Sequence, residues 1–152
     1  MGLGSNLGKR KLNILKALSE LKANPRIKIE KVSDLFRTKP VGGPSQGMFL
    51  NAVCRIKTDM PPENLLTFIK SLEKKIGRKP TVRWGPRKID IDILLYGKII
   101  HKSRRLCIPH PLMHERDFVL LPLVEIAPNC IHPILKKSAK ILLTQILPRL
   151  ST

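Results

Sequence analysis

Two acidic residues two positions apart, Asp90 and Asp92, are the part of this sequence best suited to chemistry. They lie in a run that begins at Ile89, where isoleucine alternates with other residues, and this pattern predicts a β-strand with one buried face. Side chains two apart on a strand share a side, so the two carboxylates would lie roughly 6–7 Å apart. Carboxylates that close need cations between them, and such oxygen ligands suit Mg²⁺ together with substrate phosphates.

The segment just before these carboxylates, Arg83-Trp84-Gly85-Pro86-Arg87, adds two cations. Arginine binds phosphate oxygens through paired hydrogen bonds, and the Gly-Pro pair predicts a turn that sets the direction of both arginines. A polar face on an antiparallel strand is ordinary, so the acidic pair alone would be weak evidence. Acidic and basic residues together predict a site for a phosphorylated substrate, where two Mg²⁺ ions can clamp a phosphoryl group during transfer.

Length and charge limit the classes of protein to consider. A chain of 152 residues is typical of one domain, and we expect a single domain over residues 1–152. The net charge of +18 favours polyanionic partners, although a generally basic proteome would give the same value. The sequence has no apolar run that could span a bilayer and no signal-peptide pattern. Three widely spaced cysteines have no metal-ligand spacing and indicate reduced thiols, so we expect a cytoplasmic protein.

Four segments of the chain resemble one enzyme family. Residues 83–94, RWGPRKIDIDIL, closely resemble the signature of the 6-hydroxymethyl-7,8-dihydropterin pyrophosphokinases of folate biosynthesis. The same family is resembled by GSNLG at residues 4–8, TKPVG at residues 38–42 and PHPLMHERDFVLLPL at residues 109–123. Because members of the family carry several more residues before the GSNLG element, we expect a truncated first strand here, at Met1–Leu3.

The resemblance implies a fold and a reaction. The fold would be α+β, with a ferredoxin-like core and a mostly antiparallel sheet in an α/β/α sandwich, and the interleaved helices and strands agree with this. The reaction would transfer the pyrophosphoryl group of ATP to the hydroxymethyl group of 6-hydroxymethyl-7,8-dihydropterin and release AMP. The implied partners are ATP, the pterin and two Mg²⁺ ions, with no nucleic acid and no membrane, and the chain would be a monomer.

The resemblance also implies roles for individual residues. Asp90 and Asp92 would be catalytic and would hold the metal ions. The catalytic arginines would be Arg78, Arg83 and Arg87. The nucleotide would be bound by Glu73, Trp84, Ile93, Arg105, His110 and Arg116. The pterin would be bound by Thr38, Pro40, Val41, Phe49, Asn51 and Phe118, in a slot with an aromatic ring on either side and polar groups at its edge.

Other interpretations compete with this one. Without the resemblance, Phe49 and Phe118 would be core residues, and His110 would be a structural histidine. A basic nucleic-acid-binding module on a ferredoxin-like sheet would explain the charge, but the aromatic pattern of an RNA-recognition motif is missing. A degenerate member of the family that binds ATP without turnover would explain the short first strand and Pro80, where many relatives carry arginine.

One helix is predicted from leucine spacing. Leu12, Leu15, Leu18 and Leu21 recur at helical intervals, so we expect an amphipathic helix from about Lys9 to Ala23 with these leucines in the core.

Overall fold

The computed structural model describes residues 1–150 of the chain. The strands are β1 (Gly2–Ser5), β2 (Ile27–Val32), β3 (Phe36–Thr38), β4 (Phe49–Thr58), β5 (Asp90–Asp92), β6 (His101–Lys102) and β7 (Cys107–Ile108). The helices are α1 (Arg10–Ala23), α2 (Pro62–Ile76), α3 (Asp117–Ile126) and α4 (Ala139–Leu150), with a short 3-10 helix at Met113–Glu115.

The main sheet has the strand order β2-β4-β1-β5, and β3 pairs with the start of β4. Every pairing is antiparallel. Because β1 and β2 both run antiparallel to β4, the unit β1-α1-β2 joins two strands that are parallel and have β4 between them. The unit β4-α2-β5 encloses β1 in the same way. Two such interlocked units form the ferredoxin-like arrangement, so the predicted fold class is confirmed.

Helices cover both faces of the sheet. Helices α1 and α2 pack on one face, against a core that contains Leu3, Cys54 and Ile91. Helices α3 and α4 pack on the other face, with Val53 and Leu94. This gives the three layers of an α/β/α sandwich, with alternate strand residues directed to opposite helical layers.

The central strand β1 is only four residues long. It pairs with β4 from Gly2↔Val53 to Ser5↔Leu50, and with β5 from Gly2↔Asp92 to Gly4↔Asp90. The regular part of β5 is correspondingly short, although Ile89 and Ile93 beyond it are buried as the alternation predicts. The hairpin of β6 and β7 lies outside this sheet.

The prediction for the leucines of α1 is wrong in part. Leu12 and Leu15 are 42% and 48% exposed, whereas Ile14, Ala17 and Leu21 are buried. The reason is geometric: at 3.6 residues per turn, each step of three residues falls short of a full turn, so Leu12 and Leu21 lie about 180° apart around the helix. Residues repeated at intervals of three therefore shift around the helix, from its exposed face to its buried face.

Candidate active site

Most of the predicted site residues line one cavity of about 510 Å³. It lies beside β1, between the loop after β3 and the segment that leads into α3. Its predicted members are Thr38, Pro40, Val41, Phe49, Asn51, Trp84, Arg87, Asp90, Asp92, His110, Arg116 and Phe118. Residues that are up to 80 positions apart in the sequence meet here because β1, β4 and β5 are neighbours in the sheet.

The two carboxylates of β5 differ in their surroundings. Asp90 accepts hydrogen bonds from Nη1 of Arg78 and from Nη1 of Arg87, both at 2.9 Å. Burial, followed by repulsion from Asp90, raises the pKa of Asp92 to about 7, and the ammonium group of Lys70 opposes this shift. Asp90 is therefore paired with two arginines, whereas Asp92 carries a charge that its surroundings compensate poorly.

Glu73 lies behind this strand and not in the cavity. The residue is 2% exposed, and Oε2 accepts hydrogen bonds from Arg78 Nη1 and, at 3.0 Å, from the backbone N–H of Ile91. Its Oε1 accepts a hydrogen bond from Nζ of Lys70 at 3.1 Å. Because the same Arg78 group contacts Asp90, Glu73 is joined both to the backbone of β5 and to one of its carboxylates. The predicted nucleotide contact lies in the interior, with these three donors around it.

A chain of hydrogen bonds ties three loops together at the rim of the cavity. Asn6 accepts a hydrogen bond from the backbone N–H of Arg87 at 2.8 Å and donates its own N–H to the Arg87 carbonyl at 3.1 Å. Its amide donates to Oε1 of Gln46 at 2.7 Å, and Gln46 donates to the Trp84 carbonyl at 2.7 Å. Neither Asn6 nor Gln46 was predicted as a site residue from the sequence, although the GSNLG turn offered a signal for Asn6.

Trp84 has an unusual backbone conformation. Its φ is 58°, in the left-handed region that non-glycine residues rarely adopt. Its ring lies against Gly42, where a Cβ atom would come within 2.6 Å of Trp84 Cε3. The guanidinium of Arg83 lies 4.6 Å from the centre of the Trp84 ring. Glycine at position 42 therefore allows the tryptophan to lie directly on the neighbouring loop.

Two phenylalanines and an amide border the other part of the cavity. Asn51 donates a hydrogen bond to Oγ1 of Thr38 at 2.6 Å, across the pairing of β3 with β4. The guanidinium of Arg116 lies 5.4 Å from the centre of the Phe118 ring. Phe49 lies on the same side of β4 as Asn51, since both approach the position that a Cβ atom on Gly4 would take. Asn51, Phe49 and Phe118 thus line the same cavity, and the binding of a pterin by them stays a prediction.

His110 is positioned by backbone hydrogen bonds. Its N–H donates to the Leu94 carbonyl at 2.9 Å, and its ring Nδ1 accepts from the N–H of Leu112 at 3.2 Å. Burial, and then the positive charge of Arg116, lowers the pKa of His110 below its ordinary value. Since Nδ1 is an acceptor, the neutral ring carries its proton on Nε2, which makes that atom a hydrogen-bond donor.

Two other predicted nucleotide ligands lie outside the cavity. Ile93 is buried in the core, with 3% of the residue exposed. Arg105 donates a hydrogen bond to Oγ1 of Thr67 on α2 at 2.9 Å.

The donor set fits magnesium better than a metal held by protein alone. Within residues 1–150, no group of three or more histidine, cysteine, aspartate or glutamate side chains is arranged to hold a metal ion. A pair of carboxylates that leaves the other positions to water and substrate phosphate is the usual magnesium arrangement. No helix in the same range is both long and apolar enough to cross a bilayer.

The chain matches a known protein family. Residues 1–128 match the model of the family described as 7,8-dihydro-6-hydroxymethylpterin-pyrophosphokinase. This chain belongs to that family. The resemblance of the RWGPR segment is therefore confirmed, and with it the family's activity, pyrophosphoryl transfer from ATP in folate biosynthesis.

Individual relatives support the assignment. The chain is 48% identical over 140 residues to the 2-amino-4-hydroxy-6-hydroxymethyldihydropteridine pyrophosphokinase of Aquifex aeolicus, covering 92% of this chain and 86% of that protein. It is 42% identical over 126 residues to the protein of the same name from Bacillus subtilis, covering 83% and 75%. The folic acid synthesis protein FOL1 of Dictyostelium discoideum is 47% identical over 135 residues, which are 89% of this chain but 20% of that one.

The fold has solved counterparts. Wild-type Plasmodium falciparum HPPK-DHPS with pteroate superposes with a TM-score of 0.78 at 16% identity, covering 99% of this chain and 44% of that one. An HPPK-DHPS in complex with substrates gives a TM-score of 0.73 at 15% identity, with 99% and 43% coverage. The chain thus spans less than half the length of these two proteins, and at such low identity they establish the fold alone.

Proposed function

We propose that this chain transfers the β,γ-pyrophosphoryl group of ATP to the hydroxymethyl oxygen of 6-hydroxymethyl-7,8-dihydropterin, with release of AMP. The single observation that carries the proposal is the cavity, because carboxylates and cations on one side adjoin an aromatic and amide-lined part on the other. A phosphate-rich donor and a flat heteroaromatic acceptor need these two environments next to each other. Transfer of this kind depends on positioning and on charge stabilisation more than on covalent chemistry.

Asp90 and Asp92 would hold two Mg²⁺ ions. When bound, these ions neutralise the phosphates and lower the pKa of the acceptor hydroxyl. The raised pKa of Asp92, about 7, supports the assignment, because a poorly compensated carboxylate next to Asp90 is one that a cation would stabilise. Asp92 would also assist removal of the hydroxyl proton. Glu73 and Arg78 would keep β5 and Asp90 in position.

The cations around the cavity would bind the triphosphate. Arg87 and Arg116 line the cavity, and each brings a fixed positive charge toward phosphate oxygens. The Nε2–H of His110 would donate a neutral hydrogen bond to the same group. Arg83 lies against Trp84, and this part of the loop would close over the nucleotide and exclude water. Four further predicted residues would act indirectly, by positioning the residues that line the cavity: Glu73, Arg78, Ile93 and Arg105.

The pterin would lie between Phe49 and Phe118. A flat ring stacks on aromatic faces, while the amide of Asn51 would bond to its polar edge. Thr38 holds that amide at 2.6 Å, which favours one orientation of the side chain. Pro40 and Val41 would close the slot from the neighbouring loop.

The experiment is the identification of products. The chain is incubated with Mg-ATP, with and without the hydroxymethyl dihydropterin, and nucleotides and pterins are separated by chromatography. AMP that forms only with the pterin, and is lost in Asp92→Ala, is the expected result. ADP in place of AMP would indicate an ordinary kinase, and ATP binding without turnover would indicate a degenerate member of the family.

We also propose that residues 1–152 act as a single, monomeric domain in the cytoplasm. One sheet with an apolar cluster on each face supports one domain. The net charge of +18 opposes self-association. Sedimentation equilibrium at physiological salt measures the mass directly, and a dimer mass would contradict the proposal.

A further inference from the structure

Three leucines around the start of α1 are exposed together. Leu7 is 49% exposed, Leu12 is 42% exposed and Leu15 is 48% exposed. Leu12 and Leu15 are three positions apart on the helix, and they line a shallow depression that also includes Gly8 and Leu50. Single exposed leucines are common, but Leu12, Leu15 and Leu50 line one depression and Leu7 directly precedes Gly8 at its edge, so the apolar side chains are grouped here.

The rim of this depression is strongly positive. Lys9 and Lys11 line the depression and are exposed, and the exposed Lys16 follows Leu15 directly on the helix. The sequence has no aspartate or glutamate before Glu20. Glu20 accepts a hydrogen bond from Lys75 at 2.8 Å, so its charge is already paired. The first turn of α1 contains no acidic residue, and the positive end of the helix dipole adds to the potential there. The apolar surface is thus framed by cations that lack acidic neighbours along this part of the chain.

We propose that this leucine–lysine surface binds an acidic amphipathic helix of a partner protein. The surface consists of Leu7, Leu12, Leu15, Lys9, Lys11 and Lys16. A helix with leucines on one face and glutamates beside them would bury the apolar depression and would pair with the lysines. A second copy of this chain is a poor occupant, because two chains of net charge +18 repel each other.

Two other classes of partner fit less well. A nucleic acid would use the lysines but would leave the leucines exposed to water. A bilayer surface requires apolar side chains that project from the protein, whereas Leu12 and Leu15 line a depression. A helix fills a depression and offers both apolar and acidic groups, so it uses all the features of the surface.

The surface is connected to the rim of the active-site cavity. Arg10, between the lysines, donates a hydrogen bond to the Met48 carbonyl at 2.8 Å, and Phe49 follows directly. Asn13 donates to the Leu7 carbonyl at 3.0 Å, which fixes the turn before α1. A partner bound here would therefore contact the segment that leads into Phe49.

The test is a binding measurement with two synthetic peptides. One labelled peptide, about four helical turns long, has leucines on a single helical face and glutamates elsewhere; the other has the same composition in shuffled order. Fluorescence anisotropy with the full chain is expected to give about ten-fold tighter binding of the amphipathic peptide. The double substitution Leu12→Ser with Leu15→Ser should remove that preference, and Lys9→Glu with Lys11→Glu should weaken binding of both peptides.

Matched controls lie at the turn before β6, far along the chain from α1. Ile99 and Ile100 are 41% and 62% exposed, so their double substitution by serine removes comparable apolar surface elsewhere. The double substitution Lys98→Glu with Lys102→Glu changes the net charge by the same amount as Lys9→Glu with Lys11→Glu. Both controls should bind like the unchanged chain. Hydrogen exchange of the unchanged chain gives a second measure that needs no variant: the peptide should protect amides at residues 7–16.

Three outcomes would overturn the proposal. Equal affinity for both peptides, unaffected by the leucine substitutions, would reduce the surface to a general polyanion site. Leucine-dependent binding to phosphatidylglycerol vesicles without binding of the peptide would identify a membrane surface. Protection of amides 7–16 by a single-stranded RNA oligomer, but not by the peptide, would identify a nucleic-acid surface.

Discussion

Asn6 and Arg87 are joined by two hydrogen bonds, although 81 positions separate them in the sequence: the Arg87 backbone N–H donates to the Asn6 side-chain Oδ1 at 2.8 Å, and the Asn6 backbone N–H donates to the Arg87 carbonyl at 3.1 Å. This pair sets the position at which the RWGPR segment, residues 83–87, leads into β5. The guanidinium of the same Arg87 reaches Asp90 at 2.9 Å. The end of β1 therefore controls the geometry of an ion pair in the active site.

Loss of the Asn6 side chain should impair catalysis more than stability. Asn6→Ala removes the acceptor for Arg87 and the donor for Gln46, and buried hydrogen bonds of this kind are worth about 1 kcal/mol each. We expect kcat to fall about 10- to 100-fold, with a smaller loss of unfolding free energy. Steady-state kinetics and urea unfolding measure the two effects. Asn129→Ala, at an exposed turn, should change neither, and an unchanged kcat in Asn6→Ala would contradict the positioning role.

Neutralising Glu73 should destabilise the chain. Glu73→Gln keeps the shape of the side chain but leaves Arg78 and Lys70 with one fewer negative charge at a position that is 2% exposed. Loss of a buried charged partner costs about 3–5 kcal/mol when it is complete, so we expect about 1–3 kcal/mol for this conservative change. Urea unfolding measures it. The control is Glu115→Gln, because the side chain of Glu115 is 57% exposed. Equal unfolding free energies for Glu73→Gln and the unchanged chain would show that Glu73 is not coupled to the core.

Removing the charge of Asp92 should separate stability from activity. At pH 8, above its raised pKa of about 7, the unpaired carboxylate is ionised at a cost to the metal-free fold. Because the folded chain holds this proton more tightly than the unfolded chain, stability decreases as pH rises from about 4 to 7. We expect metal-free Asp92→Asn to be about 1–2 kcal/mol more stable than the unchanged chain at pH 8, with activity lost.

Magnesium provides the complementary measurement for the same variant. Mg²⁺ with a non-hydrolysable ATP analogue should raise the melting temperature of the unchanged chain and have little effect on Asp92→Asn. Asp59→Asn, at a residue whose side chain is 76% exposed, should respond like the unchanged chain. An equal magnesium response in all three proteins would argue against metal binding by Asp92.

His110 should give the opposite pH dependence. Its pKa is lowered by burial and by Arg116, so the folded chain binds this proton less tightly than the unfolded chain does. Stability therefore falls as pH drops below the ordinary value of about 6.5. His110→Asn keeps an acceptor for the N–H of Leu112 but does not titrate, so it should lose less stability than the unchanged chain between pH 7 and 5. Parallel losses in the two proteins would contradict the lowered pKa.

Gly4 should be required for the pterin part of the cavity. A Cβ atom there would lie 2.8 Å from Oδ1 of Asn51, so Gly4→Ala must displace the amide. We expect the KM for the pterin to rise about ten-fold or more, with a smaller change in the KM for ATP. Gly2→Ala is the matched control on the same strand, because its Cβ atom would meet the Leu94 side chain at 3.6 Å, an ordinary contact. Similar kinetics in both variants would show that the amide is not displaced.

Local sequence patterns predicted the helices and strands of this molecule better than the contacts between residues far apart in the sequence. The alternation around Ile91 identified the buried face of β5, and the acidic pair followed from it. Glu73 could not be placed in the same way, because its partners Arg78 and Ile91 come together only when α2 packs behind the strand. Leu12 and Leu15 are exposed, contrary to the prediction, because residues at intervals of three do not stay on one face of an α-helix. Gln46 had no local signal at all, since its role depends on a loop that is adjacent only in the fold.

The floor of the cavity consists partly of main chain, because Gly2 and Gly4 line it without side chains. An inhibitor that rests on this floor would contact atoms that every amino acid shares. A resistance mutation that shortens a side chain is impossible at these positions, since glycine has no side chain to remove. A larger residue at position 4 would exclude the inhibitor but would also displace Asn51. The same substitution would therefore weaken binding of the natural substrate.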